Sequence, residues 1–209
     1  MERFPHHRFD PETCRRLDLY AGELLQWSKT YNLIGPCTRE TLYDRHFRDG
    51  ALLLEHLHAT KYLADIGSGA GLPGMVVALL AQGIEHLRLI EPRKKRIRFL
   101  NHVIALIGLK NVATFHGTAG QAARVIPMEF DTVISRGLGD LILGANEALP
   151  LLAPGGTYLT FKGKNHALEQ EKFLQDQISA SYEPPKILYE EVMTGNRIIA
   201  LTRKKGKCP

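Results

Sequence analysis

This sequence has little cysteine: Cys14, Cys37 and Cys208 are scattered, with no CxxC pair and no short Cys/His spacing. That excludes a disulfide-stapled scaffold and a zinc site built on such spacing, and inert thiols in a reducing compartment are the expectation. No run approaches 18 apolar residues, and "MERFPHHRFDPE" has no apolar signal region, so the chain is expected to be cytoplasmic with no membrane contact. Internal repeats and low-complexity tracts are missing as well. Charge is not one-sided: 27 Lys and Arg face 22 Asp and Glu, for a net charge of +5. So mild an excess is compatible with a nucleic-acid partner without requiring one.

What remains is ordinary globular material. The 209 residues, 44% hydrophobic and 23% charged, suffice for one core with an extension. Near the start, "DPETCRRLDLYAGELLQWSKTYNL" reads as a helix: Asp10 caps it, Pro11 suits the first position, and Glu12 favours its positive end. Leu17, Tyr20, Leu24, Trp27 and Tyr31 follow helical spacing and form one apolar stripe. "GPCT" interrupts, and "RETLYDRHFRDGALLLEHL" resumes as helix. Residues 1–60 are expected as a helical extension packed on a domain formed by 61–209.

From residue 61 short β-prone runs alternate with helical stretches: "YLADI" (62–66), "LRLIE" (87–91), "VATF" (112–115), "DTVIS" (131–135) and "TYLTF" (157–161). Such alternation predicts a parallel sheet with helices on both faces. "KILYEEV" and "NRIIALTR" are separated only by "MTG", too short for a crossover, so they are expected as an antiparallel hairpin with Gly195 in its turn. The fold class is α/β, with seven strands and a closing antiparallel pair.

Between the first strand and its helix stands "DIGSGAGLPG" (65–74). Glycines there permit positive φ and let a ligand approach the backbone. The dinucleotide pattern GxGxxG fits Gly69, Gly71 and Gly74, whereas Gly67, Gly69 and Gly71 give GxGxG. Asp65, two residues before the first of these glycines, separates the two readings. Its carboxylate would repel a pyrophosphate but attract the ammonium and sulfonium of S-adenosylmethionine. Glu91, 24 residues after Gly67 at the end of the next strand, is placed to accept ribose hydroxyls from either cofactor.

Two acceptor chemistries lack their usual devices. Transfer to an exocyclic amine generally uses an (Asp/Asn/Ser)-Pro-Pro-aromatic motif after the fourth strand, where this chain has "SRGLGD"; its only Pro-Pro is in "YEPPKI". Transfer to a pyrimidine carbon generally needs a nucleophilic cysteine, and none lies near a predicted strand end. Guanine N7 requires neither, because its lone pair is exposed and carries no proton. Carboxyl and small-molecule acceptors remain open on these grounds.

The segments "WSKTYNLIG" (27–35), "RHFRDG" (45–50), "DIGSGAGLPG", "KKRIRFL" (94–100), "VISRGL" (133–138), "FKG" (161–163) and "GNRIIAL" (195–201) together resemble the RsmG (GidB) family. These are guanine-N7 methyltransferases of bacterial 16S ribosomal RNA. The resemblance implies the class I methyltransferase fold and S-adenosyl-L-methionine as cofactor. It implies donor contacts at Gly67, Leu72 and Glu91, and at Ala119 and Gly120 beside the adenine. Arg136 would lie at the active-site mouth as the catalytic-site arginine, orienting donor carboxylate or RNA phosphate. Arg45, His46 and Asp49 match a segment that would close over the pocket, although Arg45 and Asp49 also suit an i, i+4 salt bridge. The chain departs from the family at Arg48, at Gly50, where a serine is common, and at "GLGD" (137–140).

Arg93, Lys94, Lys95 and Arg96 crowd the helix start after Glu91, and Arg203, Lys204, Lys205 and Lys207 lie in the tail. Both clusters are candidate RNA contacts, with a solvated helix face as the plain alternative for the first. The expected partner is 16S ribosomal RNA within a small subunit or assembly particle, bound by a monomer. No metal is expected. Rival readings are a small-molecule methyltransferase of the same fold and a non-catalytic RNA-binding assembly factor.

Overall fold

The seven apolar runs become seven strands of one sheet in the computed structural model, which describes residues 4–5, 8–191 and 196–205. They are β1 (Tyr62–Ile66), β2 (His86–Glu91), β3 (Val112–His116), β4 (Phe130–Arg136), β5 (Leu152–Lys162), β6 (Lys186–Glu191) and β7 (Asn196–Thr202). Their order is β3-β2-β1-β4-β5-β7-β6. β1 to β5 pair in parallel, and β7 runs antiparallel to both β5 and β6. The expected terminal hairpin is therefore present; Gly195 in its turn, together with Lys207 and Cys208 in the tail, lies outside the described residues.

Alternating side chains feed two cores. Leu63, Leu87, Leu89, Ile134, Leu159, Ile198 and Ala200 face one side; Ala64, Ile66, Ile90, Val133, Tyr158, Ile199 and Leu201 face the other. The first side is covered by α1 (Pro11–Tyr31), α3 (Arg48–Leu53), α4 (Gly74–Leu80) and α5 (Lys94–Ile107). The second is covered by α6 (Ala119–Val125), α7 (Leu141–Ala148) and α8 (His166–Gln175). The short α2 (Arg39–Thr41) precedes α3.

Helix α1 begins as the sequence dictates: the Asp10 carboxylate accepts the Thr13 N–H at 3.0 Å, and Pro11 occupies the first turn. Its apolar stripe is not uniformly buried. Leu17, Tyr20 and Leu24 are fully enclosed, Trp27 is half-buried, and Tyr31 is 44% exposed.

The segment after α1 is not one plain helix. Leu42–Phe47 is π-helical before α3, followed by a 3-10 turn at Leu54–His56. Within the π-helical segment Phe47 meets Tyr43 edge to face at 4.7 Å, and both are buried with Leu42 in the same core. Gly50 has a reason too: a Cβ there would lie 2.6 Å from the Cβ of Val76, so its absence lets α3 close on α4. β5 starts earlier than its apolar run, with Pro154, Gly155 and Gly156 accommodated at a register shift against Phe130–Thr132.

Candidate donor-binding site

The sheet reverses direction of winding between β1 and β4, and open α/β sheets bind ligands at the carboxyl ends of strands beside such a point. The glycine turn occupies that position. Gly67 and Gly69 have φ of +66° and +60°, a region that disfavours side chains. Ser68 knots the turn together. Its hydroxyl donates to the Asp65 carbonyl at 2.7 Å, its N–H donates to the Ile90 carbonyl at 3.1 Å, and its carbonyl accepts the Gly71 and Leu72 N–H groups. From outside the sheet, the buried Tyr20 hydroxyl donates to the Ala70 carbonyl at 2.8 Å. The N-terminal helix thus holds the turn directly.

Beside the turn is a cavity of about 330 Å³, lined by Gly67, Glu91 and Ala119 as the sequence reading required, and also by Arg93 and Arg96. Its size falls at the lower end of the range for small-molecule sites. Glu91 is 2% exposed and already organised: one carboxylate oxygen accepts the Gly69 N–H at 2.8 Å, the other the Arg93 N–H at 2.9 Å. The Arg96 guanidinium stands 3.5 Å away. Each oxygen keeps accepting capacity for a ribose hydroxyl. Other cavities are larger: about 490 Å³ near Thr60, Asp131 and Lys186, about 590 Å³ between α1 and residues 32–39, and about 450 Å³ beside Pro11, Asp18 and Arg39. None of the three sits at the carboxyl ends of the parallel strands, and none holds a buried carboxylate.

Sequence reasoning missed Thr118, Leu138 and Glu147, which also line the cavity. Thr118 had a legible signal, since with Gln121 it forms a reciprocal capping box at the start of α6. Leu138 approaches to within 3.2 Å of where a Gly67 Cβ would sit, so it roofs the turn from the opposite wall. Lys162 was noticed only within "FKG". Its buried ammonium donates to the Gly139 carbonyl at 2.8 Å and lies 3.1 Å from Glu169, anchoring the loop that carries Leu138.

Other expected donor residues stand behind the cavity wall rather than on it. Asp65 is fully buried, and one of its oxygens accepts the Gly74 N–H at 3.0 Å while the other has no hydrogen-bond partner. Burial pushes its carboxyl up to about 7; nearby Glu91 adds to the rise, while the Gly74 N–H and Arg136 oppose it. The Leu72 side chain is part of the core, and Gly71 is closed in by Met75, whose Cγ would lie 2.4 Å from a Cβ there. Gly120 follows Ala119 in the first turn of α6.

Arg136 ends β4 in an ion pair: its guanidinium donates to Asp49 at 2.7 Å, each side chain being 22% exposed. Asp49 on α3 therefore reaches across to the sheet, while Arg45 belongs to the preceding π-helical segment. His46 lies partly buried, its Nδ1 without a hydrogen-bond partner, and burial together with Arg136 and Arg45 lowers its pKa to about 4. Arg45 is exposed.

The basic groups divide. Arg93 and Arg96 belong to the cavity, and Lys94 and Lys95 project from the first turn of α5 into solvent. The described part of the tail lies elsewhere. Because β7 is antiparallel to β5, Arg203 and Lys204 emerge at the opposite end of the sheet, donating to the Leu152 and Ala180 carbonyls. That placement removes them from the donor cavity. Cys14 lies in α1, Cys37 lines the cavity beside residues 32–39, and neither lines the donor cavity. Among the described residues, no group of three or more His, Cys, Asp or Glu could hold a metal ion. No helix among them is long and apolar enough to cross a membrane.

Comparison with known proteins agrees with this geometry. The model of the family described as rRNA small subunit methyltransferase G (GidB) matches residues 13–196. A Ribosomal RNA small subunit methyltransferase G from Magnetococcus marinus is 30% identical over 196 residues, covering 94% of this chain and 89% of that one. A protein of the same name from Rhodospirillum centenum is 37% identical over 159 residues, covering 76% and 71%. Among solved structures, an O-methyltransferase from Bacillus cereus in complex with SAH superposes with a TM-score of 0.62 at 17% identity, covering 89% of this chain and 91% of that one. An rRNA methylase from Streptococcus thermophilus gives 0.54 at 12% identity, covering 75% and 95%. At such identities these likenesses establish the class I methyltransferase fold. The match across nearly the whole chain, together with the glycine turn and the buried Glu91, makes this protein a member of the rRNA small subunit methyltransferase G (GidB) family.

Proposed function

We propose that the protein transfers a methyl group from S-adenosylmethionine to N7 of a guanine in 16S ribosomal RNA, acting as a monomer on a small subunit or assembly particle. The observation that carries the reading is Glu91, a buried carboxylate held by the Gly69 and Arg93 N–H groups at the wall of a crevice entered over a glycine turn. It suits a ribose, and the buried Asp65 behind the same turn disfavours a pyrophosphate. From beneath the turn Asp65 acts by charge when ionised rather than by contact with the donor.

In this reading Glu91 holds the ribose, and Gly67 admits the donor to the backbone. Thr118 and Ala119 flank the adenine, and Leu138 shields the reacting centre from water. Bound S-adenosylmethionine supplies a methyl carbon on a positively charged sulfur. Guanine N7 needs no general base, so the chain's task is to hold the acceptor in line and accommodate the charge arriving on the base. The Arg136–Asp49 pair sets the mouth between β4 and α3, and His46, neutral at physiological pH, adds no charge there.

Tritium transfer from labelled donor into RNA from cells lacking the protein tests this. The expected result is label in 16S RNA at a position cleaved by borohydride and aniline, the reactivity of 7-methylguanine. Label in a small metabolite instead supports the rival enzyme. Donor binding without label in any acceptor supports a non-catalytic factor.

A further inference from the structure

One aromatic cluster is unused by the donor site. Along the seam between α1 and α5, Trp27 stacks on His102 at 5.3 Å and packs at a tilt against Tyr31 at 5.4 Å and Phe99 at 5.5 Å. Tyr31 is 44% exposed, and the Lys95 ammonium stands 5.8 Å from its ring centroid. Lys94 and Arg98 of the same helix are exposed as well. The start of α5 also borders the donor cavity, which Arg93 and Arg96 line. Exposed rings flanked by cations make a surface for unpaired nucleotides, since any base has a face to stack and any phosphate a charge to neutralise. An acidic peptide would use the cations and leave the rings idle, and lipid headgroups would do the same.

We propose that Tyr31, backed by Trp27 and flanked by Lys95, is a stacking platform for an unpaired base of the acceptor RNA near the target guanine. The proposal rests on the functional reading above. It adds a part of the RNA interface contributed by the N-terminal helix and places the strand's path across the start of α5.

Trp27 is the only tryptophan in the chain, so its fluorescence reports this surface alone. Small-subunit particles lacking the modification, and a single-stranded oligoribonucleotide, are titrated against the protein, with heparin as a polyanion without bases. Methyl-transfer kinetics are measured in parallel. Both RNA probes quench Trp27 and heparin does not. Tyr31→Ala raises KM for the particle about tenfold, a low-end stacking contribution, with kcat and S-adenosylhomocysteine affinity unchanged. Tyr31→Phe keeps the parental KM. A parental KM in a folded Tyr31→Ala protein overturns the platform and leaves the functional reading standing. Equal quenching by heparin also overturns it, reducing the patch to charge. RNA quenching in a protein that methylates no RNA overturns the functional reading, and with it the platform's place beside a target guanine, leaving only an RNA-binding surface.

Discussion

The Tyr20 hydroxyl is a sharp place to perturb the protein. It donates to Ala70 in the middle of the glycine turn, while its ring stacks on Phe47 at 5.2 Å and an interplanar angle of 4°. Tyr20→Phe keeps the ring, so no cavity forms. It leaves the Ala70 carbonyl, in a residue 4% exposed, without that donor. An abandoned buried acceptor costs about 1–3 kcal/mol. For a chain of this size about 2 kcal/mol lowers the melting temperature by about 4–8 °C. The turn must also regain its present shape before donor binds, so affinity for S-adenosylhomocysteine is expected to fall by up to about tenfold. Thermal melts with and without that ligand, and titration calorimetry, read both effects. A Tyr20→Phe protein with parental melting temperature and parental affinity would show that α1 does not hold the turn.

Other perturbations have clear signs. Gly74→Ala forces a Cβ to 2.4 Å from the Asp65 carboxylate and 2.6 Å from Leu89, so urea denaturation is expected to show a loss of about 1–3 kcal/mol from overpacking. Asp65 keeps its proton to about pH 7 when folded but loses it near 3.8 when unfolded, so its contribution to stability declines as pH rises through that window. His46 has the opposite sign, adding stability as pH rises from about 4 to 6.5. In Asp65→Asn the declining component vanishes, and melting temperature climbs more steeply between pH 4 and 6.5 than in the parent. A donor ammonium favours ionised Asp65, so parental donor affinity rises from pH 6 to 8 and that rise disappears in Asp65→Asn. A double-mutant cycle on Asp49→Ala and Arg136→Ala is expected to give a coupling above about 0.5 kcal/mol in urea melts; additivity would mean the 2.7 Å pair contributes nothing.

Local chemistry made much of this legible in advance. β1 matches its apolar run at both ends, and the Asp10 cap starts α1 where the sequence placed it. Glu91 stood out as a candidate because it ends the strand after the glycine turn, and it lines the cavity there. What stayed hidden depends on contacts distant in sequence. Nothing in "LDLYAG" says that Tyr20 reaches Ala70, 50 residues on. The spacing of Arg45 and Asp49 suited a pair within one helix, whereas the carboxylate accepts from Arg136, 87 residues away. The early start of β5 was masked by Pro154, Gly155 and Gly156, which punctuate a sequence even where a register shift lets a strand absorb them. Asp65 was read as a residue facing the ligand, and only the fold reveals that it lies beneath the turn and carries a raised pKa.

The central claim is that the crevice after β1 is built for a cationic, phosphate-free nucleoside. Titration calorimetry of the intact protein with S-adenosylmethionine and, separately, NAD tests it most directly. The account predicts saturable one-to-one binding of the sulfonium compound, lost in Glu91→Ala, and no heat from NAD. Tight uptake of NAD with none of S-adenosylmethionine would contradict it.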